Sequence, residues 1–167
     1  VEVQMNDLKL KGRAVIEHLD ADGNLKGQYD IPNGIVDVGL NNILDVQFHG
    51  VAATATWYIG LVDNAGWTAW SDADVLSSHG GWAESTNYTE GTRVAWTEGA
   101  ASGRAMTNAA TCDFSINATG NLKGIFISSN SVKSTGNTGT LWSTAAFSGL
   151  VATSNGDTLK VTYTISG

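Results

Sequence analysis

The residues from Ser78 to Trp96 combine the side chains with which proteins most often do chemistry or bind ligands. The segment holds two of the six Trp and one of the four Tyr, together with His79, Arg93 and two Glu. Histidine and glutamate serve as general acids and bases, and arginine stabilises developing negative charge. The same large side chains also anchor irregular segments and form protein interfaces. Catalysis, ligand binding and anchoring are therefore the three interpretations to weigh.

Catalysis has little support in the residue patterns. The run His79-Gly80-Gly81 is similar to the oxyanion-hole segment of some esterases, whose mechanism also needs a Gly-x-Ser-x-Gly nucleophile elbow. No such pentapeptide occurs, and Gly99–Gly103 places its serine one position late. The three histidines lie in separate predicted elements, without metal-ligand spacing on one helix. We predict a protein that is not an enzyme and has no catalytic, cofactor-binding or metal-binding residues; a hydrolase is the weakest of three hypotheses.

Binding is a stronger alternative, because aromatic rings stack on sugars and on other proteins. Trp57 lies on an alternating strand and is predicted to be in the core. Trp67 and Trp70 fall in a turn region, so they are better candidates for exposure or for an interface. A carbohydrate- or receptor-binding module is therefore the second hypothesis.

The composition favours packing against other chains over binding nucleic acid. Charged residues make up 15% of the sequence, against roughly 25% in an ordinary soluble domain. The net charge is −7 and the Lys and Arg are scattered, so neither phosphate backbones nor anionic membranes are expected partners. The single cysteine, Cys112, alternates with Phe114 and Ile116 and is predicted to be a small buried hydrophobe.

The first third of the chain predicts a hairpin and then a helix. Residues 8–31 alternate in polarity around the turn Asp20–Asn24, which indicates a β-hairpin. A break at Pro32–Gly34 is predicted to separate this hairpin from the helix. Apolar residues at three- and four-residue spacing predict a short amphipathic helix from about Asp37 to Phe48, ended by Gly50. Residues 1–7 are a possible N-terminal arm.

The remaining residues, 54–167, are predicted to form short strands between turns. Ser71 and Asp74 fit a capping box that would start a helix of one or two turns. Leu159, Val161, Tyr163 and Ile165 alternate with polar residues and give the clearest strand. We therefore predict a mainly β single domain over 1–167, a β-sandwich or jelly-roll-like fold with one short helix.

Four segments together resemble a group of small virion proteins of tailed bacteriophages. They are the helix Ile35–Leu44, the strand Trp57–Asp63, the block Ser78–Glu84 with Tyr88, Arg93 and Trp96, and the closing strand Gly156–Tyr163. The resemblance implies a capsid decoration (cement) or minor head protein. Such a protein acts without catalysis, as a homotrimer on the capsid surface, with the major capsid protein as partner. A tail or fibre component, with a receptor- or carbohydrate-binding role on the phage tail or head surface, is the alternative.

This interpretation assigns the segment from Ser78 to Trp96 an anchoring role. Trp82, Tyr88 and Trp96 are predicted to pin a long irregular segment to the sandwich. Arg93 is expected to pair with Glu84 or Glu90, or with backbone carbonyls, because buried polar groups need partners. The candidate interface or loop-anchoring residues are Trp67, Trp70, His79, Trp82, Tyr88, Arg93 and Trp96.

Overall fold

A computed structural model describes residues 9–167 and contains ten β-strands and one α-helix. The helix is α1 (Asp37–Phe48). The possible N-terminal arm at residues 1–7 lies outside the described residues. The strands are β1 (Lys11–Leu19), β2 (Leu25–Ile35), β3 (Trp57–Asp63), β4 (Ala83–Ser85), β5 (Val94–Trp96), β6 (Ala105–Thr107), β7 (Cys112–Ser115), β8 (Gly120–Ser128), β9 (Leu141–Thr153) and β10 (Thr158–Ser166).

The strands form one curled antiparallel sheet in the order β4-β3-β8-β9-β2-β1-β10-β6. Two short strands add to its ends, since β5 also pairs with β3 and β7 also pairs with β10. The predicted fold class, mainly β with one short helix, is confirmed. The alternating residues of β10 show why: Leu159, Val161 and Tyr163 are fully buried on its inner face, as a half-buried strand requires.

Two apolar clusters lie on opposite faces of the sheet. The main core is enclosed by the curl and includes Ile16, Phe114 and Ile125, all fully buried. A smaller cluster covers the outer face of β3 and β8 and extends to the start of α1. This second cluster consists of Val36, Val62, Leu76, Trp82, Phe126 and Leu141.

The predicted hairpin is part of the sheet, and its second strand is longer than expected. β1 pairs with β10 along its whole length, so the hairpin belongs to the main sheet. The predicted break at Pro32–Gly34 is wrong, because β2 continues through Pro32 to Ile35. β2 pairs with β9 only at Gly34 and Ile35, so Pro32 has an unpaired edge on that side. Proline is tolerated at such an edge, where its missing N–H breaks no ladder hydrogen bond.

The helix has the predicted bounds, but it packs on the sheet at Gly39 and leaves several of its apolar side chains exposed. Gly50 has a φ of 74° just beyond the helix end, where glycine is favoured. Gly39 is the buried residue of α1, and a Cβ there would lie 2.4 Å from the carbonyl oxygen of Trp142. The helix backbone therefore packs directly on β9 at Gly39, and the far side of α1 turns towards solvent.

Candidate functional site

Arg93 is the centre of a buried polar network. Its side chain is 3% exposed, and it forms two hydrogen bonds with Glu84: Nε to Oε1 at 2.9 Å and Nη2 to Oε2 at 2.8 Å. The guanidinium also donates to the Ser128 hydroxyl at 3.2 Å and to the carbonyl oxygens of Asn130 at 2.9 Å and Gly136 at 3.1 Å. The expected pairing of Arg93 with Glu84 and with backbone carbonyls is therefore present. It ties the segment before β5 to the connection between β8 and β9.

Trp82 anchors the irregular segment to the outer face of the sheet. Its indole Nε1–H donates to Asp74 Oδ2 at 3.0 Å, and its ring lies 5.0 Å from that of Phe126. The His79 ring stacks on Trp82 at 3.8 Å, and His79 Nδ1–H donates to the Trp82 carbonyl oxygen at 3.1 Å. The ring and the Nδ1 atom of His79 are thus both engaged with the tryptophan. The interaction assigns His79 a packing role.

Trp67 and Trp70 pack beside Trp82 as half-buried rings. The Trp70 ring lies 5.3 Å from the Trp82 ring and 6.4 Å from the Trp67 ring. Lys123 Nζ sits 4.7 Å from the centre of the Trp67 ring. The indole N–H groups of Trp67 and Trp70 are buried without a hydrogen-bond partner among the described residues. These two tryptophans extend the outer cluster and do not stand out from the surface.

The Ser71–Asp74 segment is a turn, so the predicted short helix is wrong. Ala73 N–H donates to Ser71 Oγ at 3.2 Å, and Ser71 N–H donates to Asp74 Oδ2 at 3.2 Å. The capping residues make the predicted type of local bond. Asp74 also accepts from Trp82, and the chain then closes a turn between Val75 and Ser78. The tertiary contact thus redirects the chain before a helical turn can form.

Tyr88 and Trp96 reach into the main core on the inner face. Tyr88 is 1% exposed, its ring contacts Phe114 edge-on at 5.1 Å, and Lys133 Nζ lies 4.0 Å above it. Burial raises the pKa of Tyr88, with the Glu84 carboxylate adding to the effect. Trp96 donates through Nε1 to Asn108 Oδ1 at 2.7 Å. Both residues therefore fasten the segment to the sheet.

An apolar groove opens between α1 and the rim of the curled sheet. One part is a cavity of about 240 Å³, and an adjoining cavity of about 360 Å³ runs along the helix. We call their union the aromatic groove. The first part is lined by Thr54, Trp57, Trp96, Glu98, Met106, Ile127, Trp142 and Ile165. The second shares four of these, Thr54, Trp57, Met106 and Trp142, and adds Asn42, Ile43, Val46, Gln47 and Ala53.

Two of the three tryptophans that line the aromatic groove have their indole N–H groups bound to other side chains. Trp142 donates through Nε1 to the buried Tyr163 hydroxyl at 3.1 Å, and the indole N–H of Trp96 is bound to Asn108. The Trp57 and Trp142 rings lie 5.6 Å apart. Because the N–H groups of Trp96 and Trp142 are already satisfied, the groove offers mainly apolar contact. Such a concave apolar surface suits a buried side chain of a partner.

The outer face of α1 carries a row of exposed apolar side chains. We call Leu40, Leu44 and Phe48 the helix stripe; they are four residues apart and are 42%, 57% and 84% exposed. Val51, just beyond the helix, is 45% exposed. Residues at this spacing lie on one face of a helix. The helix stripe and the aromatic groove together form one largely apolar region on two sides of α1.

The charged side chains placed at this region are acidic. The sequence contains no Lys or Arg from residue 27 to residue 92, and the helix carries exposed Asp37 and Asp45. Exposed Arg104 precedes β6, whose Met106 lines the aromatic groove, whereas exposed Lys11 lies with Arg13 and Ser166 on the outer face of the sheet. Glu98 is the acidic residue among the groove lining. The helix side is thus acidic, and the charged residue that lines the groove is also an acid.

The sequence interpretation missed this region. It placed Trp57 in the core, whereas Trp57 is half-buried and lines the aromatic groove. It also predicted an amphipathic helix from the apolar spacing of α1 without identifying which side is exposed. One signal was available: a glycine at position 39, on a different face from Leu40 and Leu44, is the residue that allows close helix packing.

The comparisons do not place this chain in a family. No protein-family model matches it, and a search of the curated proteins gives no match. Within residues 9–167, no group of three or more His, Cys, Asp or Glu side chains is arranged to hold a metal ion. No helix in the described part of the chain has the length and hydropathy needed to cross a membrane.

Proposed function

We propose that the chain is a non-enzymatic structural protein of a tailed-phage virion that decorates and stabilises the capsid through protein–protein contacts. In this role it assembles as a homotrimer on the capsid surface, with the major capsid protein as its partner. The sequence resemblance motivates the virion setting. The apolar surface and the engaged polar side chains of the molecule support an assembly role.

The observation that carries the proposal is the apolar region around α1. Phe48 and Leu44 expose most of their side chains, beside a groove lined by tryptophan and methionine. Contiguous apolar surface rimmed by polar residues marks interaction sites in soluble proteins. Aromatic residues and methionine are also enriched at interfaces. An assembly protein needs such a region, whereas a freely diffusing monomer gains nothing from exposing it.

The side chains best suited to catalysis support the same proposal, because they are already held by contacts within the fold. Arg93 and Glu84 satisfy each other, His79 is stacked on Trp82, and burial of the Cys112 thiol raises its pKa to about 11. A nucleophilic cysteine needs a lowered pKa and access to a substrate. These groups therefore act within the fold as anchors.

Binding to capsid shells tests the proposal directly. Purified protein is mixed with DNA-free shells of the phage that encodes the chain, and co-sedimentation is measured. We expect the wild type to sediment with the shells and Leu44→Asp to stay in the supernatant. Leu25→Asp is the matched control, since Leu25 is 60% exposed but lies at the far end of β2. A strictly monomeric protein that binds no shells overturns the proposal.

A glycan array distinguishes the carbohydrate-binding alternative from capsid decoration. Sugar binding that is lost in Trp67→Ala or Trp70→Ala would favour that alternative over capsid decoration. Trp70 packs against Trp82, Trp67 packs against Trp70, and Lys123 lies over the Trp67 ring, so little surface remains for stacking on a sugar. We therefore expect no glycan to bind through these residues.

A further inference from the structure

We infer that the unpaired side of β2 is a pairing site for the same side of β2 in a second copy of this chain, related by a two-fold axis at Gln28. This inference deepens the proposed assembly role and rests on it. Most of β2 pairs with β1 on one side, while β9 joins the other side only at Gly34 and Ile35. We call residues 26–32 on that other side the open edge. A strand with unpaired backbone groups is a template for a further strand.

The backbone direction shows which N–H groups the open edge presents. Val36 N–H donates to the Trp142 carbonyl oxygen of β9 at 3.2 Å, so this even-numbered residue faces away from β1. Successive residues of a strand alternate in the side to which their N–H and C=O groups point, and β2 pairs with β1 without irregularity over residues 27–33. The N–H and C=O groups of Gln28 and Asp30 therefore point to the open edge. No other strand in the described part of the chain pairs with them there.

The exposed side chains of the open edge are complementary to themselves in one register. Lys26, Gln28 and Asp30 are all exposed to solvent. An antiparallel copy of β2 with the two-fold axis at Gln28 brings Lys26 opposite Asp30 of the other copy, and it does so twice. Opposite charges across an antiparallel pair are stabilising, whereas like charges are destabilising. The charge pattern therefore selects a second copy of the chain as the occupant.

Both charges have a partner within the chain and still have surface for a second one. Lys26 Nζ donates to Asp157 Oδ2 at 2.7 Å with 35% of its side chain exposed. Asp30 accepts from Arg13 with 53% of its side chain exposed. An ammonium group has three donors, and a carboxylate has about four lone-pair sites. Pairing at the open edge thus extends two ion pairs into a row of four alternating charges, from Asp157 of one copy to Arg13 of the other.

The ends of the open edge fit this register. Pro32 has no N–H, and it lies opposite Asn24 of the other copy. The backbone N–H and C=O of Asn24 are already bonded to Asp20 within the turn, so the missing N–H of proline costs no hydrogen bond. Charged side chains and proline ordinarily protect an edge against pairing. Here the charges match and the proline falls outside the paired residues, so the same features leave self-pairing open.

A two-fold contact at the open edge is separate from the apolar region around α1. Gln28 and the last residue of β2, Ile35, are seven residues apart, which is about 23 Å along a strand. An isologous contact uses the same patch on both copies and closes at two. It therefore joins copies in pairs and, in the proposed homotrimer, links one trimer to the next.

A disulfide across the two-fold axis tests the geometry directly. Hydrogen-bonded neighbours of an antiparallel pair have Cα atoms about 5.5 Å apart, which a disulfide can span. Mild oxidation should therefore convert Gln28→Cys into covalent dimers, while the native Cys112 is buried. Glu17→Cys is the matched control, since Glu17 is exposed beside Gln28 on β1 but lies one strand further from the axis. Equal dimer yields from the two variants would overturn the inference.

Two substitutions at Gln28 separate its backbone from its side chain. Gln28→Pro removes the N–H at the axis from both copies and should weaken pairing by about 10- to 100-fold. Gln28→Ala keeps the N–H and should pair within about threefold of the wild type. Sedimentation measures pairing as a concentration-dependent doubling of mass, and near-ultraviolet circular dichroism confirms folding. Loss of pairing in Gln28→Ala to the same extent as in Gln28→Pro would contradict a backbone ladder.

Reversing one charge tests the register independently. Asp30→Lys places like charges opposite each other and should weaken pairing at least about fivefold at low salt, with a smaller effect at high salt. Asp113→Lys is the matched control, because it also disrupts a partly exposed ion pair, with Lys160. Asp113 lies on β7, separated from β2 by β10 and β1. Equal pairing of the two variants would exclude this register and overturn the inference.

Hydrogen exchange detects the pairing in the wild-type chain. The amides of Gln28 and Asp30 should exchange more slowly as the protein concentration rises, whereas the amide of Tyr29, which points towards β1, should be slow throughout. Exchange at Gln28 that stays the same up to the highest soluble concentration would overturn the inference. Shell binding by such a chain would leave the proposed function standing. Edge pairing by a chain that binds no shells would remove the capsid role alone.

Discussion

Replacing Arg93 by alanine should cause the largest stability loss of any single polar substitution in the described chain. The change removes five hydrogen bonds: two to Glu84, one to Ser128 and two to the carbonyl oxygens of Asn130 and Gly136. The Glu84 side chain is 8% exposed, so its carboxylate would be left buried without its cation. An unpaired charge is far more unfavourable there than at the surface.

The magnitude follows from the burial of both partners. Removing one member of a buried ion pair costs about 3–5 kcal/mol in free energy of unfolding, because the remaining charge is uncompensated. For a chain of this length, each kcal/mol lowers the melting midpoint by roughly 2–4 °C. We therefore expect a decrease of about 6–20 °C for Arg93→Ala. Arg93→Lys should recover only part of the loss, since lysine keeps the charge but cannot form the bidentate contact.

Thermal unfolding and hydrogen exchange together check this prediction. Arg13→Ala is the matched control, because Arg13 pairs with Asp30 in an exposed ion pair of a kind that contributes little to stability. The amide of Ser134 donates to Glu84 Oε2 at 2.9 Å, so Arg93→Ala should also speed its exchange. Equal midpoints for the Arg93 and Arg13 variants, with unchanged exchange at Ser134, would refute the reasoning.

Three further predictions concern close packing, acid stability and thiol reactivity. Gly39→Ala should lower the free energy of unfolding by about 1–3 kcal/mol through overpacking, because the added Cβ meets the Trp142 carbonyl oxygen. Urea unfolding measures this loss. Gly80→Ala is the control, since a Cβ there meets no atom within 4 Å. Burial disfavours the charged form of Asp157, but hydrogen bonds from neighbouring cationic and backbone groups outweigh it and lower the pKa. The folded state therefore gains stability above the unfolded pKa of about 4. This gain should disappear as the pH falls through the depressed value, and Asp157→Asn should flatten the pH dependence of the midpoint. Cys112 should not react with a thiol reagent at about pH 8 until the chain unfolds, since burial raises its pKa to about 11; rapid reaction of the native chain would contradict its burial.

The elements that depend on local pattern were predictable from the residues. The bounds of α1 and the alternation of β10 follow from three- and four-residue spacing and from period-two spacing. The turn Asp20–Asn24 likewise follows from the preference of Asp and Asn side chains for nearby backbone N–H groups, and Asp20 Oδ1 accepts from the amide of Asn24 at 2.8 Å. The role of Arg93 was also predictable, because an arginine among anchoring aromatics in an irregular segment needs polar partners.

The incorrect predictions share a cause, because each of these local structures depends on a residue that is distant in sequence. Pro32 sits within a strand because β9 pairs only with the residues after it. Ser71 starts no helix because Asp74 is held by Trp82. Local propensity alone carries no information about such contacts.

By itself the sequence determined the fold class, the helix bounds and the anchoring character of the segment from Ser78 to Trp96. Those properties follow from spacing and from the need of buried polar groups for partners. Only the tertiary structure decided which face of α1 is exposed. The close approach of Gly39 to Trp142 turns Leu44 and Phe48 to solvent, because a helix can bury one side only and a side without a Cβ packs closest. The apolar region that carries the proposed function exists for this reason.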